Sequence, residues 1–204
     1  LAFSSHNDAL NMSFIDTMLS STGGIYPRLG DILRYTKNDN QISANNRHMT
    51  LFGDPSLHLS YPKHQIVTTY ISADTLFANS MATVNGEVHG ANQQLLTDFN
   101  GVVSVKVYDK PSKVRTLGQD SDSYKVDFLA QKSVLYLGKA SVNQGKFSFT
   151  FPVPRDIDYS FGKGKISYYA TNGIEDAHGF YDSLIIGGSV DLPEQDLTGP
   201  EISL

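Results

Sequence analysis

Asn143-Gln144-Gly145-Lys146-Phe147-Ser148-Phe149-Thr150-Phe151 decides the fold class. Three phenylalanines alternate with Ser148 and Thr150, and a period of two puts every ring on one face of a strand and every hydroxyl on the other. A helix would scatter the same rings around its axis and give them no common core. The preceding Asn143-Gln144-Gly145 supplies a hairpin turn, with a glycine available for a positive φ.

Moving outward, the same alternation recurs at Val103, Val105 and Val107 and again at Ile166, Tyr168 and Ala170. Strands are expected over residues 65–71, 81–88, 102–108, 125–130, 133–140, 145–153, 164–170 and 182–186, with the loops 109–113 and 118–124 the least regular. Seven or eight short strands with frequent turn signals over about 120 residues point to an immunoglobulin-like or fibronectin-like antiparallel β-sandwich. The chain is therefore expected to be mainly β.

Residues 1–62 have a different pattern. Leu10, Phe14, Ile15, Met18 and Leu19 share one face of a 3.6-residue period, which predicts a helix over 6–19 with Ser5 as its cap and Asp8 near its positive end. Ser20 to Gly24 ends it. Pro27 suits a first helical position, so a second helix is expected over 27–37, with Leu29, Ile32 and Leu33 buried. Gly30 costs that helix about 1 kcal/mol relative to alanine, which points to close packing or slight fraying there. After a polar asparagine-rich loop, Met49 to Phe52 reads as a buried strand and Gly53-Asp54-Pro55 as a sharp turn, with Asp54 accepting hydrogen bonds from the amides just beyond. Leu57, Leu59 and Tyr61 alternate with His58 and Ser60, a second short extended segment ending at Pro62.

Bulk chemistry excludes several functions. The chain has 204 residues, 16 Lys and Arg against 21 Asp and Glu, and a formal charge of −5, whereas a nucleic-acid binder carries a basic patch or stripe. The absence of cysteine removes disulfides, zinc-thiolate sites and a cysteine nucleophile from these residues. No apolar run approaches the ~20 residues of a membrane-spanning helix. The start, Leu1-Ala2-Phe3-Ser4, reads as the beginning of an excised piece.

Candidate site residues are sparse. The six histidines, His6, His48, His58, His64, His89 and His178, lack the spacing of a zinc helix. Asp120, Asp122 and Asp127 alternate as oxygen donors do in a calcium loop, but without its turn glycine and distal glutamate, so a solvated loop is expected. Glu175, Asp176 and His178 cluster after Asn172-Gly173 and offer a small metal or polar site, with a hairpin loop the simpler reading. Ser56 does not sit in a nucleophile elbow. Asp54 in its sharp turn is read as a cap rather than a catalytic acid. No catalytic, cofactor-binding or metal-ligating residue is assigned.

Several stretches resemble the end of a gingipain-type cysteine peptidase domain: Asn7 to Phe14, Leu29-Gly30-Asp31 with Lys37-Asn38, and Leu51-Phe52-Gly53-Asp54-Pro55-Ser56-Leu57 through Tyr61-Pro62. Weaker likenesses follow at Leu137 to Val142, Phe151 to Ile157, Gly164 to Ala170, Gly187-Gly188 and Gly199-Pro200. The resemblance, in particular to the sortase of type IX secretion, implies a caspase-like α/β peptidase domain followed by an immunoglobulin-like domain. In that family a histidine and a cysteine form the catalytic dyad, and both lie upstream of the portion matched here.

The implied organisation is a peptidase-domain remnant over 1–63, a sandwich over 64–190 and a linker over 191–204. The implied location is the cell surface or outer membrane of a Gram-negative bacterium. The implied partners are the upstream peptidase domain, secretion-system components and secreted cargo proteins. Residues 1–62 are also expected to lie back on the sandwich or to self-associate through their helices, since large apolar patches are unusual on soluble monomers. The alternative is a free-standing immunoglobulin-like surface adhesion or binding module without catalysis.

Overall fold

Period-two burial governs most of the chain. The computed structural model describes residues 4–22, 25–119 and 123–190, and its contacts divide the chain into two units, Leu1–Tyr61 and Pro62–Leu204. The expected linker over 191–204 lies outside the described residues. The first unit holds α1 (Ser4–Leu19), α2 (Leu29–Asp39) and a short 3-10 helix, Ala44–His48. The second holds β1 (His64–Ile71), β2 (Thr75–Ala78), β3 (Met81–His89), β4 (Gly101–Tyr108), β5 (Ser112–Arg115), β6 (Asp127–Ala130), β7 (Val134–Val142), β8 (Lys146–Pro152), β9 (Gly162–Lys163), β10 (Lys165–Thr171), β11 (Asp176–Tyr181) and β12 (Ile185–Ser189).

The main sheet runs β7-β4-β10-β11-β1-β3-β8, beside a three-stranded sheet β2-β12-β9 and the ribbon β5-β6. Its two end strands, β7 and β8, are joined by the tight turn at Asn143–Lys146 and touch each other, so the sheet folds back on itself into two facing leaves. One leaf is β7-β4-β10-β11 and the other is β1-β3-β8, which is the expected β-sandwich. β1 belongs to both leaves: it pairs parallel with β11 at His64 and Gln65, then antiparallel with β3 as far as Ile71. A register shift between Thr68 and Tyr70 accompanies the crossing, as expected where a bulge bends a strand. β12 also pairs parallel with β2. These parallel pairings refine the antiparallel expectation, and alternation alone carries no information about strand direction.

The inward faces supply the core. Val103, Val105 and Val107 of β4, Phe147, Phe149 and Phe151 of β8, and Ile166, Tyr168 and Ala170 of β10 are all buried in one cluster. The three rings stack along the strand, and Phe149 and Phe151 also stack against Tyr136 of β7. Gly86 of β3 is required by this arrangement, because a Cβ there would lie 2.3 Å from Cζ of Phe147. Tyr168 buries its hydroxyl against Thr68 Oγ1 at 2.8 Å, tying β10 to β1 across the core. Burial pushes that phenol up to about 12, against the opposing effect of the Thr68 hydrogen bond.

Four strands were not expected from sequence: β2, β5, β9 and β11. β11 matters most, because its residues Asp176 to Gly179 carry the polar composition of a loop. They are held as a strand by β10 on one side and the start of β1 on the other. β12 lies three residues beyond the expected 182–186 segment, since Asp182 and Ser183 form its approach.

In the first unit α1 begins at Ser4, which places Ser5 inside the first turn rather than at the cap. Only Leu10 of its apolar face is buried; Phe14 and Met18 are half-buried, and Ile15 and Leu19 are exposed. α2 starts at Leu29, two residues later than Pro27 suggests, because Arg28 is still extended (φ −70°, ψ 156°) and only the residues after it turn into the helix. Ile32 is fully buried beside Thr36, whose hydroxyl donates to the Ile32 carbonyl. The asparagine-rich loop closes the helix. Asn46 Nδ2 donates to the carbonyls of Lys37 and Asn40, and the buried Asn45 donates to Asn7 of α1 at 2.7 Å.

Candidate functional site

The segment from Leu51 to Tyr61 is the natural place to look for chemistry. It forms neither of the expected strands. Phe52 is 97% exposed, and Leu57 and Leu59 are also exposed, so Met49 to Phe52 is not a buried strand. The segment instead straps α2: the amides of Leu29 and Gly30 donate to the carbonyls of Leu57 (2.8 Å) and Pro55 (2.9 Å). These are two of the helix's unpaired N-terminal amides. Arg28 and His58 add a bridge. His58 Nδ1 donates to the Tyr26 carbonyl at 3.0 Å in the tautomer that carries its proton there. Tyr61 stacks on Tyr26 at 3.9 Å and donates its hydroxyl to the Met18 carbonyl at 2.6 Å.

Asp54 acts in this strap as a turn-former. Its Oδ1 accepts from the Ser56 amide at 2.8 Å and the Ser56 hydroxyl at 2.7 Å. Those hydrogen bonds, the hydroxyl's first, hold its carboxyl below the ordinary aspartate value. Both groups are committed to the turn, which matches the expectation of a capping aspartate. Gly30 shows why the strap fits, since a Cβ there would stand 2.8 Å from Pro55 Cβ and 3.0 Å from its carbonyl oxygen. Gly30→Ala is therefore expected to push Pro55 off α2 despite alanine's better helix propensity. Faster hydrogen exchange at the Leu29 and Gly30 amides would record it, and unchanged exchange would show that the strap can shift without loosening.

A shallow cavity of about 410 Å³ opens beside the strap, lined by Gly30, Leu33, Lys37, Met49, Leu51 and Pro55 among others. None of its lining residues carries a carboxylate, imidazole or thiol.

The other candidate residues are not brought together into one site. Asp120 and Asp122 lie outside the described residues. Asp127 sits on β6 and is engaged by Arg115 across the ribbon at 2.5 and 2.8 Å and by Lys113 at 2.8 Å. Arg115 first and Lys113 second hold its carboxyl below the usual value. Glu175 ends the turn after β10, while Asp176 and His178 lie on β11. Among the described residues no three His, Cys, Asp or Glu side chains converge as a metal site would require.

Glu175 instead makes a contact that its local sequence does not announce. Its carboxylate accepts from Lys63 Nζ and from His64 Nε2, the latter at 2.7 Å. The Lys63 amide donates to the Asp176 carbonyl at 2.9 Å. His64 is nine-tenths buried, edge-on to Phe99, and its Nδ1 has no hydrogen-bond partner among the described residues. This latch fixes the first residues of β1 to β11.

Lys63 first, then His64, hold the Glu175 carboxyl below the ordinary glutamate value of 4.5. A depressed pKa adds stability above the unfolded value, and that increment disappears as pH falls through the folded one. Wild type should therefore lose stability relative to Glu175→Gln as pH drops below about 4.5. Paired chemical-denaturation curves between pH 3 and 7 check this, and a pH-independent difference would count against the latch.

Residues 1–60 match the family model of peptidase family C25. No curated protein matches the chain. Among solved structures, the crystal structure of dimeric latent PorU from Porphyromonas gingivalis is similar over 89% of this chain and 18% of that one, with 23% identity and a TM-score of 0.60. The chain thus spans less than a fifth of that structure's length. Spo0M, a sporulation control protein from Bacillus subtilis, is similar over 63% of this chain and 51% of its own, with 13% identity and a TM-score of 0.37. The native conformation of E. coli alpha-2-macroglobulin gives 70% and 7%, with 17% identity and a TM-score of 0.38. These two fits are too loose to inform the fold. Residues 1–60 are thus similar in sequence to peptidase family C25, and the chain shares its fold with part of PorU.

Proposed function

We propose that, as a relative of the gingipain-type peptidases, this chain is a non-catalytic C-terminal portion of a cysteine endopeptidase or sortase of type IX secretion. Its first unit completes a peptidase domain, and its sandwich supports that domain or positions cargo. The supporting observation is a conjunction: residues 1–60 match a cysteine peptidase family, while the chain contains no cysteine. Covalent catalysis by that family's chemistry needs a thiolate, so the nucleophile must come from elsewhere in the protein. The strap supports the same reading, because its Asp54 and Ser56 are bonded to each other and among the described residues no imidazole hydrogen-bonds to Ser56.

The first unit also carries large apolar side chains in water. Met12, Ile15, Leu19, Ile25, Tyr35, Ile42, Phe52 and Leu57 are all exposed, a density that marks an interaction surface. An upstream α/β domain is the occupant this reading assigns to that surface, with a second copy of the chain as the competing outcome. Cell-surface placement and contacts with secretion-system components or cargo follow from the same reading. The sequence encoded before Leu1 tests it: a histidine and a cysteine in an α/β pattern within about two hundred residues, the size of one domain, support it. A secretion signal directly before Leu1 would replace it with a free-standing module.

A further inference from the structure

We propose that the outer face of the β7-β4-β10-β11 leaf docks an extended acidic segment of another polypeptide. The face is built by alternation: Val105, Val107 and Ile166 point into the core, so Lys106, Tyr108 and Lys165 point out. Lys106 and Lys165 confirm this by flanking the same ring, with their Nζ atoms 5.7 and 5.1 Å from the Tyr108 centroid. Lys165 stands opposite Tyr108, Lys106 opposite Ser167, and Lys139 opposite Ser104. Each lysine is thus one strand over and two residues along from the last. With strands ~4.8 Å apart and a rise of ~3.4 Å per residue, they form a diagonal with steps of about 8 Å.

Their charge is uncompensated. Lys63, Lys110, Lys113 and Lys146 each have a carboxylate partner, whereas among the described residues Lys106, Lys139 and Lys165 have none. This occurs in a chain with net charge −5, so the lysine diagonal is a local excess of positive charge, with the leaf's own carboxylates Asp176 and Asp182 at the two ends of β11. The row through Lys106 ends in exposed apolar residues, Leu137 on β7 and Phe180 on β11. Alternate side chains of an extended peptide recur every ~7 Å, close to the lysine step, so acidic residues at every second position would each meet a lysine while the residues between them face away from the sheet. A nucleic acid would place phosphates against Leu137 and Phe180 and find only a three-lysine footprint. The surface is a property of the sandwich and does not depend on the peptidase reading.

Fluorescence anisotropy on the 204-residue chain tests this, using a labelled, end-blocked octapeptide of alternating Glu and Ser. The same peptide with Gln for Glu and an eight-nucleotide oligothymidylate are the comparisons. The Glu peptide should bind, weaken as salt rises, and lose about tenfold or more in affinity (~1.4 kcal/mol) with the K106E/K139E/K165E variant at an unchanged melting temperature. K113E, on the β5-β6 ribbon, should bind like wild type. If the triple variant fails to fold, Lys139→Glu alone on exposed β7 should cost about threefold, as charge changes at an exposed rim do. No binding of the Glu peptide, equal binding by the charge-reversed protein, or oligothymidylate binding as tight as the peptide's would each overturn the proposal.

Discussion

Phe151→Ala is expected to destabilise the sandwich by about 3–5 kcal/mol, the range for emptying a buried aromatic site. The ring is completely buried, stacks on Tyr136 at 5.1 Å and Phe149 at 5.9 Å, and lies on β8 opposite Ala82 of β3. Ala82 is too small to fill the void, and the surrounding strands are fixed by their ladders, so collapse around the cavity is limited. Because domains of this size retain only about 5–15 kcal/mol of net stability, the variant should sit near its folding limit. Phe151→Leu keeps most of the volume and should cost about 1–2 kcal/mol. Urea unfolding followed by near-UV tyrosine dichroism measures both, and a loss below about 1 kcal/mol for the alanine variant would mean that the stack is not the centre of the core.

Asp109→Ala should have an effect of similar size by a different route. Asp109 and Lys110, where β4 ends, have side chains only 8% and 9% exposed and pair at 3.0 Å. Asp109 Oδ1 also accepts from the Lys110 amide at 2.8 Å, and Lys110 Nζ donates to the Asp158 carbonyl at 2.6 Å. Removing one partner of a buried pair leaves the other charge uncompensated and costs about 3–5 kcal/mol. Asp109→Asn keeps an acceptor but not the charge and should cost less. The double variant Asp109→Asn/Lys110→Met should recover much of the loss, because it removes both ions together. A double-mutant cycle on denaturation midpoints reads this, and additive single effects would contradict the pairing.

The sandwich was legible in the sequence wherever one face of a strand is buried, because burial imposes a period of two. β8, β4 and β10 show it in Phe147 to Phe151, Val103 to Val107 and Ile166 to Ala170. β11 was not legible, since Asp176, His178 and Gly179 have the composition of a turn and only pairing with β10 and β1 makes them a strand. The helix periodicity of α1 was correctly read, but burial was not: Ile15 and Leu19 belong to an apolar face left exposed in this chain. At Asp54 and Gly30 the local chemistry was sufficient, because an Asx turn and a glycine beneath a packed proline act within a few ångströms. The latch was invisible because Lys63 and Glu175 are 112 residues apart in sequence. No local pattern links them.

The proposed role makes this chain part of a cysteine peptidase whose nucleophile lies elsewhere in the protein. It is tested most directly by assaying the 204-residue chain beside the intact protein on fluorogenic peptides under reducing conditions. Turnover is expected only from the intact protein, and thiol alkylation should abolish it. Peptide hydrolysis by the 204-residue chain itself would contradict it.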